Sequence, residues 1–292
     1  MRFGLVGTGP WAAIAHGPGL LTADGVELVG VWGRNATKAD ELAGKLGVQG
    51  YDDYAALLDV VDAVAFAVPP DVQAPMALQA AAIGKHLLLD KPVATSVEDA
   101  RELAAEAESE GIASVVFFTD RFAPQVRDWF DRTAWSGGWR GGWIRILAAL
   151  DAPGNPFSQS PWRRERGALW DVGPHALSNL TALLGPIAGL TAVGGEGDLV
   201  HLVLRHESGA TSTASLSLFV PPDAAGFELG VWGDNGTSLS PGTTATAEQA
   251  LAIAATELVA AAESGVPHEV DVAFGARVVE LLADAENQLR GS

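Results

Sequence analysis

The sequence predicts an α/β protein with an N-terminal doubly wound parallel sheet and a C-terminal α+β domain built on a mostly antiparallel open sheet. Short apolar runs alternate with helical patterns over roughly the first 120 residues, as in parallel sheets covered on both faces. Later runs alternate apolar and polar residues, which is typical of strands with one solvated face. We therefore predict domains at 1–120 and 121–292.

Five apolar runs in the first part are predicted strands. They lie at 3–7, 26–33, 62–68, 85–90 and 114–118. Ala- and Leu-rich stretches between them have helical periodicity, among them 36–47 and 72–84. Ser96, followed three residues later by Asp99, indicates a capped helix that continues to Ser109.

The second part begins with a predicted helix at 122–131 and a Gly-rich segment at 136–143. A strand at 143–150, a loop rich in Pro and Asn, and a helix near 174–184 follow. Residues 199–220 predict two strands that turn at Glu207, Ser208 and Gly209, so that they pair antiparallel. Helices at 246–263 and 272–290 are expected to close the chain.

Composition excludes several classes of function. The formal charge of -18 repels phosphate backbones and anionic membranes, so neither nucleic acid nor a membrane is an expected partner. The chain has no Cys, which excludes disulfides and thiolate chemistry. It enters a strand at once and contains no apolar run long enough to span a bilayer, so we expect a cytoplasmic protein. The histidines lack ligand spacing, and no metal site is predicted.

A glycine loop follows the first strand and precedes a helical run. In such a loop the first Gly permits a tight turn, the second lets backbone N–H groups approach a pyrophosphate, and the small third residue allows close packing. The helix start adds a dipole that favours the anion. We predict a dinucleotide site here, the alternative being a turn without ligand. Its residues are Gly7, Thr8, Gly9, Pro10, Trp11 and Ala12.

The end of the second strand carries Arg34 and Asn35 where an acid that binds the adenosine ribose is expected. An Arg at this position can stack on adenine and pair with a 2′-phosphate. NADP is therefore the predicted cofactor, with NAD as the alternative if Arg34 is an ordinary surface residue.

A pair of proton-handling residues stands in the second part. Asp171 and His175 are four residues apart in a helical pattern, a spacing that places both on one face. Pro174, between them, marks either a first turn or a kink. A carboxylate beside an imidazole fixes its tautomer, as general acid–base catalysis requires. A structural His near a helix start explains this pair alone equally well.

Three motifs in the right order resemble the glucose–fructose oxidoreductase and inositol dehydrogenase family (Gfo/Idh/MocA). They are the glycine loop, Asp90-Lys91-Pro92 after the fifth strand, and "GALWDVGPH" at 167–175. Supporting matches lie at 51–58, 119–124, 136–143 and 162–163. The resemblance covers nearly the whole chain. It implies a Rossmann domain, a substrate domain with an open sheet, and hydride transfer on sugars, polyols or related alcohols.

The resemblance also implies roles for single residues. Lys91 matches the lysine that binds the substrate hydroxyl near the nicotinamide, and Asp171 and His175 match the aspartate and histidine of the catalytic set. Two further sets complete the prediction. Besides the glycine loop, the predicted cofactor residues are Arg34, Asn35, Val68, Pro69, Asp90, Lys91 and Pro92. The predicted substrate residues are Lys91, Arg121, Trp162, Arg163 and His175.

The chain departs from the family pattern in three respects. Asp90 replaces the usual Glu, no Asn follows Pro69, and the substrate domain is short. A short domain also fits a rival hypothesis, a sensor that binds dinucleotide without turnover, although such a sensor needs neither Lys91 nor His175. One sheet face around 199–219 needs cover, either from a homodimer or homotetramer or from the helices 246–263 and 272–290.

Overall fold

The structure is a computed structural model that describes residues 1–291. The chain forms two compact units. The first unit contains Met1–Phe122 and Ala245–Val279, and the second contains Ala123–Thr244 and the chain from Glu280 onward. The ranges 1–120 and 121–292 stay a prediction for functional domains, but as units of packing the segment 245–279 belongs with the first.

Twelve strands occur in the part of the chain that the structure describes. They are β1 (Arg2–Val6), β2 (Glu27–Trp32), β3 (Gln49–Tyr51), β4 (Ala63–Phe66), β5 (His86–Asp90), β6 (Ser114–Phe117), β7 (Trp139–Leu147), β8 (Ile187–Gly194), β9 (Val200–His206), β10 (Thr211–Ser217), β11 (Gly226–Gly233) and β12 (Gly236–Leu239). The first six belong to the first unit and the other six to the second.

The helices are numbered along the chain. They are α1 (Gly17–Thr22), α2 (Ala36–Leu46), α3 (Tyr54–Leu58), α4 (Pro70–Ala81), α5 (Val97–Ser109), α6 (Pro124–Ser136), α7 (Pro161–Asp171), α8 (Gly173–Leu184), α9 (Ala247–Ser264) and α10 (Val272–Arg290). A π-helical turn at Ala12–His16 precedes α1, and short 3-10 turns occupy Thr119–Phe122 and Pro222–Ala224.

The first unit is built on a six-stranded parallel sheet with the order β3-β2-β1-β4-β5-β6. Every residue of β4 and β6 is buried, because helices cover both faces of such a sheet. The predicted doubly wound sheet is confirmed. Ser96 caps α5 as predicted, since its Oγ accepts a hydrogen bond from the N–H of Asp99 at 3.1 Å.

The second unit contains a mixed sheet with the order β12-β11-β7-β10-β9-β8. Only β7 and β10 pair parallel among its described strands, and the other neighbours pair antiparallel. The predicted antiparallel pair is confirmed as β9 and β10. Helices α7 and α8 pack on β10 and β7, and side chains of the opposite face such as Val193, Val203 and Trp232 are exposed.

Several elements differ from the sequence prediction, which also gave no bounds for β8, β11 and β12. The loop expected before the catalytic stretch contains α7, whose four charged residues at 163–166 hid its helical pattern. Strand β7 begins at Trp139, inside the Gly-rich segment, because its glycines leave room for large neighbours rather than ending the strand. The short edge strand β3 was not predicted at all.

Within residues 1–291, every helix is either too short or too polar to cross a membrane.

Candidate active site

The glycine loop lies at the carboxyl end of β1 in the first unit. Gly7 has a φ of +131°, and a Cβ on it would stand 2.4 Å from the carbonyl oxygen of Ala67, so no other residue fits. A Cβ on Gly9 would meet nothing within 4 Å, so the space beside this exposed residue is open. A tight turn followed by an open backbone fits a pyrophosphate.

Behind this loop, the helical turn is packed with aromatic rings. The ring of His16 lies edge-on to those of Trp11 and Phe117, with centroids 6.1 and 5.8 Å away. Complete burial lowers the pKa of His16 to about 3, because a charged imidazole cannot be solvated there. His16 is thus a neutral part of the core that supports the predicted cofactor residue Trp11.

The residues that follow β2 lie beside the glycine loop. A Cβ on Gly33 would stand 2.5 Å from Cγ2 of Thr8, so a glycine is needed for this close approach. Arg34 is exposed. The side-chain oxygen of Asn35 accepts a hydrogen bond from the N–H of Lys38 at 3.1 Å and caps α2. Asn35 therefore has a structural role, and its contact with a cofactor stays a prediction.

Three predicted cofactor segments share one edge of the first sheet. The glycine loop follows β1, Val68 and Pro69 follow β4, and Asp90-Lys91-Pro92 closes β5. Parallel strands bring their carboxyl ends to the same edge, and the strand order reverses direction between β1 and β4. Ligands of open α/β sheets bind at such a point.

Lys91 is half-buried directly after β5. Its backbone N–H donates to Oδ1 of Asp90 at 2.8 Å, and the Lys91–Pro92 peptide bond is cis. Asp90, the shorter acid at this position, thus binds the backbone of the next residue. The side-chain amide of Gln73, which sequence reasoning missed, also binds this segment.

Arg121, a predicted substrate residue, is buried in the first unit. Its Nη2 lies 2.8 Å from Oε1 of Glu269, in the segment that follows α9. The neighbouring Phe122 stacks on His268, with ring centroids 5.8 Å apart. The ion pair gives Arg121 a structural partner, and its contact with substrate stays a prediction.

In the second unit, the predicted residues Arg163 and Asp171 form an ion pair. The Nε of Arg163 donates to Oδ2 of Asp171 at 3.0 Å, and its Nη1 donates to Ser160 Oγ at 3.3 Å. The guanidinium carbon lies over the rings of Phe157 and Trp162, 4.8 and 4.9 Å from their centroids. Two aromatic faces and a carboxylate thus surround one planar cation.

A kink brings these two residues together. Eight residues span about 12 Å in a straight helix, more than suits a side-chain contact between Arg163 and Asp171. Gly167 interrupts α7 with φ 64° and ψ -166°, a conformation that is essentially restricted to glycine. The backbone conformation at the kink therefore requires the first glycine of the "GALWDVGPH" motif.

His175 lies in the first turn of α8 and is half-buried. Pro174 stands at the start of that helix, so of the two predicted alternatives the first turn is correct. Asp171 is buried at the end of α7, and only Val172 separates it from the start of α8. The four-residue spacing thus runs across the boundary between two helices.

No group of three or more His, Asp or Glu side chains that could hold a metal ion occurs in the described chain.

Two family models match the chain. The "Oxidoreductase family, NAD-binding Rossmann fold" of Gfo/Idh/MocA matches residues 1–118, and the "GFO/IDH/MocA C-terminal domain" matches residues 140–238. The chain belongs to the Gfo/Idh/MocA oxidoreductase family. The resemblance predicted from the three motifs is confirmed, as are the Rossmann sheet of the first unit and the open sheet of the second.

Curated relatives of this Gfo/Idh/MocA protein carry enzyme names. It is 36% identical over 127 residues to 4-carboxy-2-hydroxymuconate-6-semialdehyde dehydrogenase of Sphingobium sp., covering 42% of this chain and 40% of the relative. It is 29% identical over 190 residues to dTDP-3,4-didehydro-2,6-dideoxy-alpha-D-glucose 3-reductase of Streptomyces antibioticus, covering 64% and 57%. The matches thus span less than two thirds of either relative's length.

Solved structures share the fold over nearly the full chain. Levoglucosan dehydrogenase, in complex with NADH and levoglucosan, superposes with a TM-score of 0.86 at 18% identity, covering 100% of this chain and 97% of the other. An oxidoreductase domain protein from Kribbella flavida gives a TM-score of 0.86 at 22% identity, with 99% and 97% covered.

The structure thus groups the predicted residues of this family member within each unit. The glycine loop, Arg34, Val68, Pro69 and the Lys91 segment share the sheet edge of the first unit. Trp162, Arg163 and Asp171 form one cluster in the second, with His175 in the next helix. Sequence reasoning missed Gln73 and Phe157. One feature of the sequence could have pointed to Gln73, because it is a polar residue among the Ala positions of α4.

Proposed function

We propose that this chain transfers a hydride between a nicotinamide dinucleotide and a secondary alcohol or carbonyl of a sugar, an inositol or a related small polyol. One observation carries the proposal: the glycine loop follows β1 and Lys91 follows β5, two strands of one parallel sheet that are separated only by β4, so both lie at the same edge. Family membership supports it, as do relatives named for dTDP-sugar reduction and levoglucosan oxidation.

His175, Asp171 and Lys91 have different proposed roles in the hydride transfer. A bound nicotinamide supplies the hydride acceptor or donor. In the oxidative direction, His175, oriented by Asp171, takes the proton of the substrate hydroxyl. The ammonium of Lys91 stabilises the negative charge that develops on that oxygen. Either Lys91 or His175 can be the final base.

Arg163 and Trp162 are the proposed substrate contacts of the second unit. Both N–H groups of Arg163 Nη2 have no hydrogen-bond partner among residues 1–291, while Nε and Nη1 are engaged. A guanidinium held between two rings can donate these N–H groups to a substrate oxygen at little cost in side-chain entropy. Trp162 offers an aromatic face beside it. Arg121 remains in the proposed substrate set.

NADP is the proposed cofactor because of Arg34. Its exposed guanidinium follows β2, where the family fold presents the adenosine ribose, and it can pair with a 2′-phosphate. The solved relative binds NADH, so NAD is the alternative.

Fluorescence titration with NADPH and NADH, followed by turnover assays, tests the function. The assay panel contains sugars, inositols, diols, ketones and, because of the first curated relative, carboxylated semialdehydes. Binding with turnover supports the proposal. Binding without turnover on the whole panel would identify the protein as a dinucleotide sensor, and no binding of either cofactor contradicts both functions.

We further propose a homodimer or homotetramer formed through the open sheet face of the second unit. Val193, Val203 and Trp232 are each about half exposed there. Light scattering that finds a 30.2 kDa particle at working concentration contradicts this proposal.

We also propose a cytoplasmic location, on the basis of dinucleotide use and a sequence without Cys, and cell fractionation tests it.

A further inference from the structure

We infer that Gln73 is a positioning residue for Lys91, which it serves by fixing the backbone on both sides of that lysine. The inference rests on the proposed function of Lys91. All of the contacts that carry it lie within the first unit and come from one fully buried side chain of α4.

The Gln73 amide binds both backbone groups of Asp90. Its Oε1 accepts a hydrogen bond from the N–H of Asp90 at 2.8 Å, and its Nε2 donates to the carbonyl oxygen of Asp90 at 2.8 Å. This pair of bonds is the pattern by which a neighbouring strand would bind the same residue.

Asp90 needs such a partner because β5 extends beyond its neighbour on that side. The N–H of His86 bonds to the carbonyl of Asp62, directly before β4. Backbone groups alternate between the two sides of a strand with a period of two residues, so those of Asp90 also face the β4 side. The pairing of β4 with β5 covers only His86 to Leu88. Gln73 therefore supplies the hydrogen bonds where the β4 ladder has ended.

The same amide reaches past Lys91. Nε2 lies 3.3 Å from the carbonyl oxygen of Pro92 and 3.2 Å from that of Val93, so its second hydrogen is shared between these two acceptors. On the other side, the N–H of Lys91 is bound by its neighbour Asp90. One side chain thus anchors the backbone immediately before and after the proposed catalytic lysine.

Only a primary amide of this length can make all of these bonds. A carboxylate offers acceptors alone and would face three carbonyl oxygens, and an apolar side chain offers neither donor nor acceptor. The other buried positions of α4 are Pro and Ala, so packing alone does not call for a Gln at position 73. We expect positional errors in Lys91 to reduce turnover rather than dinucleotide binding, because reacting groups tolerate little displacement.

Two variants and a matched control test the inference. Q73M keeps the length and removes every hydrogen bond, and Q73E keeps the acceptor but loses the donor. Q79E makes the same chemical change on an exposed residue of α4. For Q73M we expect a fall in kcat of about 10- to 100-fold with an NADPH Kd close to wild type. Q73E should lose more at neutral pH and recover in acid, where its protonated carboxyl donates again.

Two measurements separate this inference from the proposed function. Hydrogen exchange of the peptide that contains Asp90 should accelerate in Q73M, and the rate of Lys91 modification by a small aldehyde with borohydride should change by about tenfold. Neither measurement requires turnover, so an inactive wild type contradicts the proposed function alone. Unchanged exchange and modification in folded Q73M, or an unchanged kcat in an active protein, overturns the role of Gln73.

Discussion

The two units fix their proposed catalytic residues by different physical means. In the first unit, a neutral amide binds the backbone around Lys91. In the second, the charged guanidinium of Arg163 binds the carboxylate of Asp171 directly. The first arrangement positions a residue through its backbone, whereas the second positions a side chain through its charge.

The two arrangements differ in how they respond to pH and salt. Hydrogen bonds between an amide and the backbone carry no net charge, so neither pH nor salt changes them within the range where the fold is stable. The pair of Arg163 and Asp171 is only partly exposed, at 20% and 10% of its side chains, and it depends on both charges. We expect the second unit to be the more sensitive to conservative substitution.

The largest expected effect comes from removing the residue that the first unit positions. K91A should lower kcat by about 10³-fold, because a charge aimed at the developing alkoxide is lost. Dinucleotide Kd, measured by fluorescence, should stay close to wild type. K45A, on the exposed surface of α2, is the control and should leave both values unchanged. Comparable activity of K91A and K45A would remove Lys91 from the mechanism.

Acid should lower the stability of both units through their buried histidines. Burial lowers the pKa of His16 in the first unit to about 3, and burial lowers the pKa of His206 in the second, opposed by its bond to Gly185. The unfolded chain binds these protons near pH 6.5, so stability is complete above that pH and falls below it. Well below pH 6.5, His16 alone contributes a loss of roughly 1 kcal/mol per pH unit.

Urea unfolding at several pH values measures this slope. H16F should flatten it by the share of one histidine, because its ring fills the site without titrating. A slope equal to that of the wild type would show that His16 titrates normally in the folded protein. A window from about pH 6.5 to about pH 4.5 ends just above the ordinary pKa of carboxyl groups. Groups such as Asp62, whose pKa is lowered by the hydrogen bond from the Arg2 N–H, therefore contribute little to the slope.

A conservative change should break the arrangement of the second unit. R163K keeps the charge but loses the planar fork and its stacking on Phe157 and Trp162, so we expect kcat to fall by between about 10- and 100-fold. R164K is the matched control one residue later, because Arg164 pairs with Asp151 on the exposed surface. Equal kinetics for the two variants would mean that the fork of Arg163 does not matter.

The smallest expected effect concerns cofactor choice in the first unit. R34A should weaken NADPH binding by about tenfold and leave NADH nearly unchanged, because only the former carries the 2′-phosphate. Paired fluorescence titrations give both constants from one preparation. If both cofactors lose affinity equally, Arg34 contributes stacking rather than phosphate recognition.

The positions of motif residues in the fold could largely be predicted from the sequence, while their catalytic and binding roles stay predictions. The glycine loop and Lys91 follow apolar runs that can only be strands, so their common edge followed from parallel topology. Asp171 and His175 were predicted from a four-residue helical spacing, but the structure places them in two consecutive helices, α7 and α8. The open sheet followed from strict alternation, which the structure shows throughout β9.

Contacts made by neutral side chains to distant backbone could not be predicted. Gln73 binds residues 17 to 20 positions away, and backbone acceptors leave no mark in a sequence. The ion pair of Arg163 with Asp171 depends on the kink at Gly167, because helical spacing alone does not place residues eight apart together. Helix α7 was missed because Pro and Ser at 156–161 are typical of a loop and the four charged residues at 163–166 hid its helical pattern.

The late segment 245–279 has a consequence for how the protein is made. Its helix α9 packs on α1 and β6, its Leu251 would lie 2.9 Å from a Cβ on Gly19, and its Val270 carbonyl accepts the N–H of Val116 in β6. On the ribosome, the segment 245–279 emerges only after residues 123–244 have been added, which takes roughly 6 to 25 s at typical rates of synthesis. Until then, the nascent first unit carries an uncovered apolar face, and a fragment cut at residue 120 would keep that face permanently.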